Sequence, residues 1–220
     1  MQIAIDGPSS AGKSTVAKLV AKALNFIYCD TGAMYRATTV LAKEHQIDYG
    51  DEAKILALLK TSKITFQPAP QGQLVFLNDE DVTLEIRTPE ITNNVSQVSA
   101  LPQIREELVR QQRVIAEGNS IVMDGRDIGT TVLPHAELKV FLVASASERA
   151  RRRFEENVTK GIDTPLSKLQ EEIELRDYKD SHRAISPLTK ADDAIEIDST
   201  HLSIEEVTAA IVKLANERKR

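Results

Sequence analysis

The sequence has little of what secreted and membrane-embedded proteins depend on. It has one cysteine among 220 residues, no tryptophan, and only 4% aromatic residues. The single cysteine, Cys29, allows no disulfide within the chain, and its apolar surroundings favour a role as a small buried side chain. No uninterrupted apolar run reaches the roughly 18 residues of a membrane span. We therefore expect no membrane association and a location in a reducing cytoplasm.

An excess of positive charge is also missing. The 28 basic residues are outnumbered by 33 acidic ones, giving a net charge of -5, so we expect no general attraction to nucleic acid. An apolar run begins almost directly after Met1, and we expect no signal peptide. What the chain does contain is 41% hydrophobic and 28% charged residues, ordinary proportions for a globular protein with a sizeable core.

The most informative segment is Gly7-Pro8-Ser9-Ser10-Ala11-Gly12-Lys13-Ser14-Thr15, which fits the phosphate-binding pattern G-x-x-x-x-G-K-[ST]. It lies between a β-like run, residues 2–6, and a helical pattern, residues 15–24. Backbone N–H groups and a helix N-terminus in this order favour phosphate. Lys13 would reach the β- and γ-phosphates and the Ser14 hydroxyl would ligate Mg²⁺, whereas the alternative interpretation is a glycine turn that caps a helix. The predicted inner face of the helix consists of Val16, Leu19, Val20, Ala23 and Leu24.

The order of the predicted elements indicates an α/β fold. The strands are too far apart in sequence for hairpins, which favours a parallel sheet with crossover helices. Residues 63–84 break this pattern and predict an antiparallel β insert. Ser147 is predicted to cap one helix, and Ser203 with Glu206 to form a capping box for the last. The predicted core strands are residues 2–6, 26–29, 121–123, 138–144 and 194–198.

Acidic and basic residues follow the core strands. Asp124 ends an apolar strand, as a Walker B acid does, and could hold Mg²⁺ directly or through water. Asp30 ends the preceding strand, and either carboxylate could instead be a helix N-cap. Arg151 and Arg152 have glutamates at helical spacing, which favours solvated ion pairs. The arginines that could grip donor and acceptor phosphates are Arg36, Arg126, Arg149, Arg153, Arg176 and Arg183.

Three motifs occur in a fixed order: Gly7–Thr15, Asp30–Arg36 and Asp124–Thr130. With them stand Ser96-Gln97-Val98, Arg105, Glu148-Arg149-Ala150 and the segment from Arg176 to Pro187. Together they resemble the bacterial cytidylate (CMP/dCMP) kinase family, one of the P-loop nucleoside monophosphate kinases, over essentially the whole chain. The resemblance implies a three-layer P-loop NTPase core with a five-stranded parallel sheet, a small antiparallel β insert in the NMP-binding region and a helical lid.

The resemblance also implies an activity, the Mg²⁺-dependent transfer of the γ-phosphoryl group of ATP to CMP or dCMP in pyrimidine nucleotide metabolism. The protein is expected to be a monomeric, single P-loop kinase domain over residues 1–220. Its core is assigned to residues 1–30, 118–148 and 190–220, its NMP-binding region to 31–117, its lid to about 149–165, and a lid-to-core helix to 165–189.

The resemblance further assigns roles to residues. It implies catalytic roles for Lys13, Arg126 and Arg183, and metal binding by Ser14 and Asp124. ATP is expected on the P-loop, Arg149 and Arg153. The residues expected to bind CMP are Thr31, Tyr35, Arg36, Ser96, Arg105, Gly125, Arg126, Asp127, Arg176, Asp180 and Arg183. Among these, Arg36, Arg126 and Arg183 would hold the phosphate, Ser96, Arg105 and Asp127 the cytosine, and Arg176 and Asp180 the sugar.

Other classes of protein share parts of this pattern. A GTP-binding switch would use a T-K-x-D motif, which Thr189–Asp192 matches, but this segment precedes a strand and the chain contains no D-x-x-G. A small-metabolite P-loop kinase would share Lys13 and the lid arginines without needing a cytosine pocket. An ATP-dependent interaction module leaves the acceptor-side arginines unexplained.

Overall fold

The structure, a computed structural model, describes residues 1–69, 72–159 and 161–219. The chain forms two compact units, the first from Met1–Tyr28 and Gly118–Arg220 and the second from Cys29–Glu117. The helices are α1 (Lys13–Leu24), α2 (Thr31–Glu44), α3 (Glu52–Leu59), α4 (Pro89–Val98), α5 (Pro102–Ala116), α6 (Ala146–Thr159), α7 (Leu166–His182) and α8 (Ile204–Arg218). The strands are β1 (Gln2–Asp6), β2 (Ile27–Asp30), β3 (Ile64–Ala69), β4 (Gly72–Leu77), β5 (Glu80–Asp81), β6 (Ile121–Gly125), β7 (Leu138–Val143) and β8 (Ile195–Asp198).

The predicted five-stranded parallel sheet is confirmed, with the strand order β2-β6-β1-β7-β8. β1 pairs in parallel with β6 on one side and with β7 on the other, and β7 pairs in parallel with β8. The apolar side chains of β1 and β6 are almost completely buried, as expected for parallel strands inside a sheet. Because the strands are parallel, Asp6 at the end of β1 and Asp124 near the end of β6 lie at one edge of the sheet.

The helices α1 and α8 pack on this sheet. The buried face of α1 is Val16, Ala17, Val20 and Ala21, so the face predicted from the sequence was partly wrong. Leu19 is 38% exposed and Ala23 is also exposed. The small side chains of Ala17 and Ala21 allow α1 to approach the strands and α8 closely. A hydrophobicity pattern gives these positions little weight, because alanine is only weakly apolar.

The second unit is built around α2, in which Met34, Thr38, Leu41 and Ala42 are all buried. The predicted insert is confirmed as an antiparallel sheet of the order β3-β4-β5. Its inward side chains, including Val75 and Leu77, are buried while the alternate positions are more exposed. The predicted insert, residues 63–84, includes positions 70 and 71, which lie outside the described residues.

The first unit also contains α6 and α7, which pack together through Ala150, Leu169 and Ile173. The prediction that Ser147 caps α6 was wrong, because the helix begins at Ala146 and the hydroxyl of Ser145 accepts the N–H of Glu148 at 3.2 Å. The capping box of α8 is confirmed. The expected lid, about residues 149–165, includes residue 160, which lies outside the described residues. No helix in the described residues has the length and apolar character to cross a membrane.

Candidate active site

The segment between β1 and α1 has the backbone of a phosphate-binding loop. Gly7 has φ +150° and Gly12 has φ +87°, a range that L side chains rarely adopt. A Cβ atom at Gly7 would lie 2.0 Å from the carbonyl oxygen of Leu142 in β7, so only glycine fits there. α1 begins at Lys13 after a glycine N-cap without a side chain, which leaves its N-terminal N–H groups to attract an anion.

Lys13 is buried at the start of α1, with 5% of its surface exposed. Its Nζ donates a hydrogen bond to the carbonyl oxygen of Pro8 at 2.6 Å. Burial, and then the positive charge of Arg126, hold the pKa of Lys13 well below its ordinary value, while Asp124 and Asp6 act in the opposite direction. The lysine is therefore short of negative charge, which a bound phosphate would provide.

Ser14 and Asp124 form the pair expected of a metal site in a P-loop. The Ser14 hydroxyl donates to Asp124 Oδ2 at 2.7 Å, and the Tyr28 hydroxyl donates to Oδ1 at 2.7 Å. Mg²⁺ prefers oxygen ligands and is usually held by one or two protein groups together with substrate phosphates. A hydroxyl and a buried carboxylate fit that requirement, although no group of three metal-binding side chains exists within the described residues.

Asp6 is a buried carboxylate at the same sheet edge. Its two oxygens accept the backbone N–H groups of Ile128 at 2.8 Å and Gly129 at 2.7 Å. Burial raises the pKa of Asp6 to about 6, against the lowering effect of these hydrogen bonds, and the charge of Asp127 adds to the rise. Asp6 therefore ties the strand before the P-loop to the chain that follows Asp127.

The pH dependence of the free energy of unfolding should reflect the titration of the Asp6 carboxyl group. Because its pKa rises on folding from 3.8 to about 6, its stabilising contribution is full below the unfolded pKa and is lost as the pH rises through the folded pKa. The free energy of unfolding of the wild type relative to Asp6→Asn should therefore fall by about 1 kcal/mol between about pH 5 and about pH 7.5. Urea titrations of both proteins at the two pH values measure this change, and a constant difference would contradict it.

Three arginines of the first unit act on Asp180, near the end of α7. Arg126 donates through Nε to Asp180 Oδ2 at 2.9 Å. Burial by itself raises the pKa of Asp180, but the positive charges of Arg126, Arg176 and Arg183 outweigh it and the pKa is lowered. Asp180 is thus an ionised group that holds Arg126 in place directly after β6.

Arg183 lies just beyond the end of α7 and is also held by protein oxygens. Its Nε donates to the carbonyl oxygen of Ser186 at 2.5 Å, and its guanidinium lies 3.5 Å from Asp127 Oδ1. The exposed fractions of the two charged side chains are 10% for Arg183 and 6% for Asp127. Arg126 and Arg183 are therefore ordered guanidinium groups, each paired with a buried carboxylate.

Arg149 joins the P-loop to α6 and α7. It donates to the carbonyl oxygens of Ala144 at 2.9 Å and Ser9 at 3.0 Å, and it pairs with Asp177 of α7 at 2.6 Å. Arg153, one turn along α6, is half-buried, and no hydrogen bond or ion pair joins it to another described residue. Arg149 is therefore an arginine of α6 that contacts the P-loop, and the ATP-side role of Arg149 and Arg153 stays a prediction.

The neighbouring arginines of α6 behave as the helical spacing indicated. Arg151 bridges Glu148 and Glu155 at the surface. Arg152 pairs with Glu148 at 2.8 Å and also donates to the carbonyl oxygen of Ser199 at 2.6 Å. Arg152 thus has a structural contact beyond the predicted ion pair, because it attaches α6 to the end of β8.

In the second unit, Asp30 and Arg36 face each other across the first turn of α2. Asp30 is the N-cap of α2 and accepts the N–H of Ala33 at 2.8 Å, while Arg36 pairs with its other oxygen at 3.0 Å. The alternative that Asp30 is a helix cap is therefore confirmed. Thr31, the first residue of the helix, is buried. The motif therefore places Arg36 near the N-terminus of α2, where the N-cap residue Asp30 holds its guanidinium group.

The second unit also brings Arg105 and Tyr35 together. Arg105 is 3% exposed, donates to the carbonyl oxygen of Ser99 at 3.0 Å, and lies 5.3 Å from the centre of the Tyr35 ring. That distance is typical of a cation–π contact. Ser96 is half-buried on α4, one turn before the Ser99 carbonyl that Arg105 contacts.

A sequence profile of cytidylate kinases matches residues 3–217, nearly the entire chain. The chain belongs to the cytidylate kinase family. A cytidylate kinase from Lactiplantibacillus plantarum is 61% identical over 219 residues, covering 100% of this chain and 96% of that protein. One from Ligilactobacillus salivarius is 60% identical over 218 residues, covering 99% of this chain and 97% of that protein.

A solved structure of distant sequence has a fold similar to that of this cytidylate kinase family member. An uncharacterized protein from Eubacterium ventriosum ATCC 27560 aligns with a TM-score of 0.53 at 14% identity, covering 99% of this chain and 98% of that chain. At that identity the likeness concerns the fold alone. Family membership therefore rests on sequence, and the fold agrees with it.

Two residues of the candidate site in this cytidylate kinase family member, Asp6 and Tyr28, were not predicted from the sequence. A signal existed for Asp6, since a charged residue that ends a buried strand must find partners. Tyr28 gave no signal, because a tyrosine in an apolar strand is most often a packing residue. The T-K-x-D segment precedes β8, as expected for a coincidental match, and its Lys190 pairs with Glu196 at 3.2 Å.

Proposed function

We propose that this protein transfers the γ-phosphoryl group of ATP to CMP or dCMP, giving ADP and CDP or dCDP. One observation carries the proposal. Arg126 and Asp127 directly follow the strand whose Asp124 bonds to the P-loop Ser14. The proposed phosphate-binding side chain, Arg126, and the proposed base-reading side chain, Asp127, are thus two and three peptide bonds from a group of the donor site.

The donor side of the reaction would be held by the first unit. The P-loop from Gly7 to Thr15 would surround the ATP phosphates, with Lys13 on the β- and γ-phosphates. Arg149, already bonded to the Ser9 carbonyl oxygen, would support the loop from α6, and Arg153 would add charge one turn further. Ser14 and Asp124 would hold Mg²⁺, which neutralises phosphate charge when bound.

The acceptor phosphate would be gripped by Arg36, Arg126 and Arg183. Each is paired with a carboxylate in the structure: Asp30, Asp180 and Asp127 respectively. These pairs hold the guanidinium groups in ordered positions before substrate arrives, and guanidinium groups bind phosphate oxygens bidentately. Preorganised charge of this kind stabilises the phosphoryl group in transfer at little reorganisation cost.

The base would be read by Asp127, Arg105 and Ser96. Cytosine presents an N4 amine donor beside the N3 and O2 acceptors, so a carboxylate can accept from N4 and a guanidinium can donate to N3 or O2. Uracil has a carbonyl oxygen in place of the amine, which the Asp127 carboxylate would repel. The sugar hydroxyls would meet Arg176 and Asp180. The remaining residues assigned to CMP are Thr31, Tyr35 and Gly125.

The chemistry requires no general base. The attacking oxygen belongs to the CMP phosphate, which is largely dianionic at pH 7 because its second pKa is about 6. The protein would therefore act by aligning the two nucleotides and neutralising charge with Lys13 and the arginines. We also propose that residues 149–165 act as a lid that excludes water on closure. A monomeric state and a cytoplasmic location complete the proposal.

The decisive experiment is a coupled ADP-release assay of the purified chain with ATP and Mg²⁺. CMP and dCMP should be phosphorylated well, and UMP, AMP and shikimate poorly. Chelation of Mg²⁺ with EDTA should abolish the activity. Absence of activity with CMP, or equal activity with shikimate, would overturn the proposal.

A further inference from the structure

Asp6 connects the P-loop, which would hold the phosphoryl donor, to the segment after β6, which would hold the acceptor. It ends β1 immediately before the first P-loop glycine, and only 5% of its surface is exposed. Its two carboxylate oxygens accept the adjacent N–H groups of Ile128 and Gly129, at 2.8 and 2.7 Å. These residues begin a π-helical turn, Ile128–Val132, directly after Arg126 and Asp127.

The turn is held against Asp6 from its other side as well. A Cβ atom at Gly129 would lie 3.1 Å from Lys139 Cδ and 3.4 Å from Asp6 Oδ2. Lys139 cannot easily move away, because its ammonium group donates to the Pro134 carbonyl oxygen at 2.7 Å and to Asp193 at 2.9 Å. Glycine at position 129 is therefore what allows the close approach of the Asp6 carboxylate to the turn.

The surroundings of Asp6 disfavour the ionised form of its carboxyl group. Burial raises its pKa to about 6, with Asp127 adding to the rise and Lys13 opposing it. A neutral asparagine would be easier to bury, but its side chain has one acceptor and one donor group. Only a carboxylate presents a separate acceptor oxygen to each of the two N–H groups. The geometry of the turn therefore requires a carboxylate at position 6.

We propose that Asp6 is a positioning residue, which fixes Arg126 and Asp127 relative to the P-loop lysine through the backbone of Ile128 and Gly129. The inference rests on the proposed function, because it assumes that Lys13 acts on the donor and Arg126 on the acceptor. Phosphoryl transfer needs both phosphates in line, and a displacement of about 1 Å can reduce the rate on the order of a hundredfold.

The test is the variant Asp6→Asn, whose amide would direct an N–H group at one of the two backbone N–H groups. The value of kcat/KM for CMP should fall about tenfold, and the ratio of the CMP and UMP values should fall with it, because Asp127 moves together with Arg126. The dissociation constant of a non-hydrolysable ATP analogue should change less than about threefold, since the P-loop backbone keeps its own bonds.

The matched control is Glu137→Gln. Glu137 directly precedes β7 and contacts β1 at the end opposite to Asp6. Glu137 also accepts a backbone N–H through a carboxylate oxygen, that of Gln2 at 2.7 Å. This control should keep the wild-type ratio of CMP to UMP. If Asp6→Asn fails to fold, Gly129→Ala, which pushes the turn away from Asp6, should produce the same loss of selectivity.

The proposal would be overturned by an Asp6→Asn enzyme that keeps the wild-type CMP to UMP ratio, or that loses ATP-analogue binding as strongly as CMP turnover. Amide hydrogen exchange separates this result from failure of the proposed function. The N–H groups of Ile128 and Gly129 should exchange faster in Asp6→Asn whatever the substrate, and unchanged protection would refute the positioning role. An inactive wild-type protein would refute the proposed function alone.

Discussion

Replacing Arg126 with alanine should lower kcat/KM for CMP by about a thousandfold, or about 4 kcal/mol of transition-state stabilisation. The variant removes a guanidinium group that the structure holds ready through its 2.9 Å contact with Asp180. It also leaves Asp180, a mostly buried carboxylate, with less positive charge around it. Steady-state kinetics with CMP as the varied substrate measure the loss.

The effect of Arg126→Ala should fall on the acceptor and on turnover, and binding of an ATP analogue should not weaken. Arg126 lowers the pKa of Lys13, so its removal favours the charged lysine. Arg126→Lys should remain well below the wild type, because an ammonium group cannot form the two-pronged contact. Arg151→Ala is the matched control at an exposed surface pair, and near-normal turnover of Arg126→Ala would remove this residue from the phosphate site.

Replacing Asp127 with asparagine should reduce the preference for CMP over UMP on the order of a hundredfold, at the upper end of what one base contact contributes. The asparagine amide can donate to the uracil carbonyl oxygen, which the carboxylate repels. Asp127→Ala should also lose preference for CMP over UMP more than it loses ATP binding. The ratio of kcat/KM for CMP to that for UMP is the measurement.

Part of the loss in either Asp127 variant should be common to both acceptors. Asp127 lies 3.5 Å from the Arg183 guanidinium, so its removal also disturbs a proposed phosphate ligand. The ratio of the two acceptors cancels this shared loss and isolates base reading. Asp192→Asn, at an exposed aspartate, is the control, and equal losses for CMP and UMP in Asp127→Ala would contradict the assignment.

The elements were predictable where one physical signal dominated. β7 is an almost continuous apolar run, and its burial followed from that composition. The capping box of α8 could be predicted from the sequence because Ser203 and Glu206 have the required spacing. α1 was only partly predictable, since alanine at positions 17 and 21 gives little hydrophobic signal although both residues are buried. The predicted cap of α6 was two residues too late, because serine has the same capping chemistry at positions 145 and 147 and the N–H of Glu148 bonds to the hydroxyl of Ser145.

The candidate site was predictable from motifs in the same way. Lys13 and Ser14 have the residue types and spacing that a P-loop requires, and Asp124 ends an apolar strand as a Walker B acid does. In the structure the Ser14 hydroxyl lies 2.7 Å from Asp124 Oδ2. The carboxylate partners of Arg126 and Arg183 were not predictable, because Asp180 lies 54 residues from Arg126 in the sequence and Asp127 is similarly distant from Arg183. Such contacts depend on how the chain folds back, and a sequence pattern over a few residues carries no information about them.

The contact between Gly7 and β7 restricts how the donor site can be varied. Any side chain at position 7 would press on the Leu142 carbonyl oxygen, and so would disturb the central strands before it altered nucleotide binding. A catalytically dead but folded reference enzyme should therefore be made at Lys13. Libraries aimed at a different phosphoryl donor should vary positions 8 to 11 and keep this glycine, because it belongs to the sheet as much as to the loop.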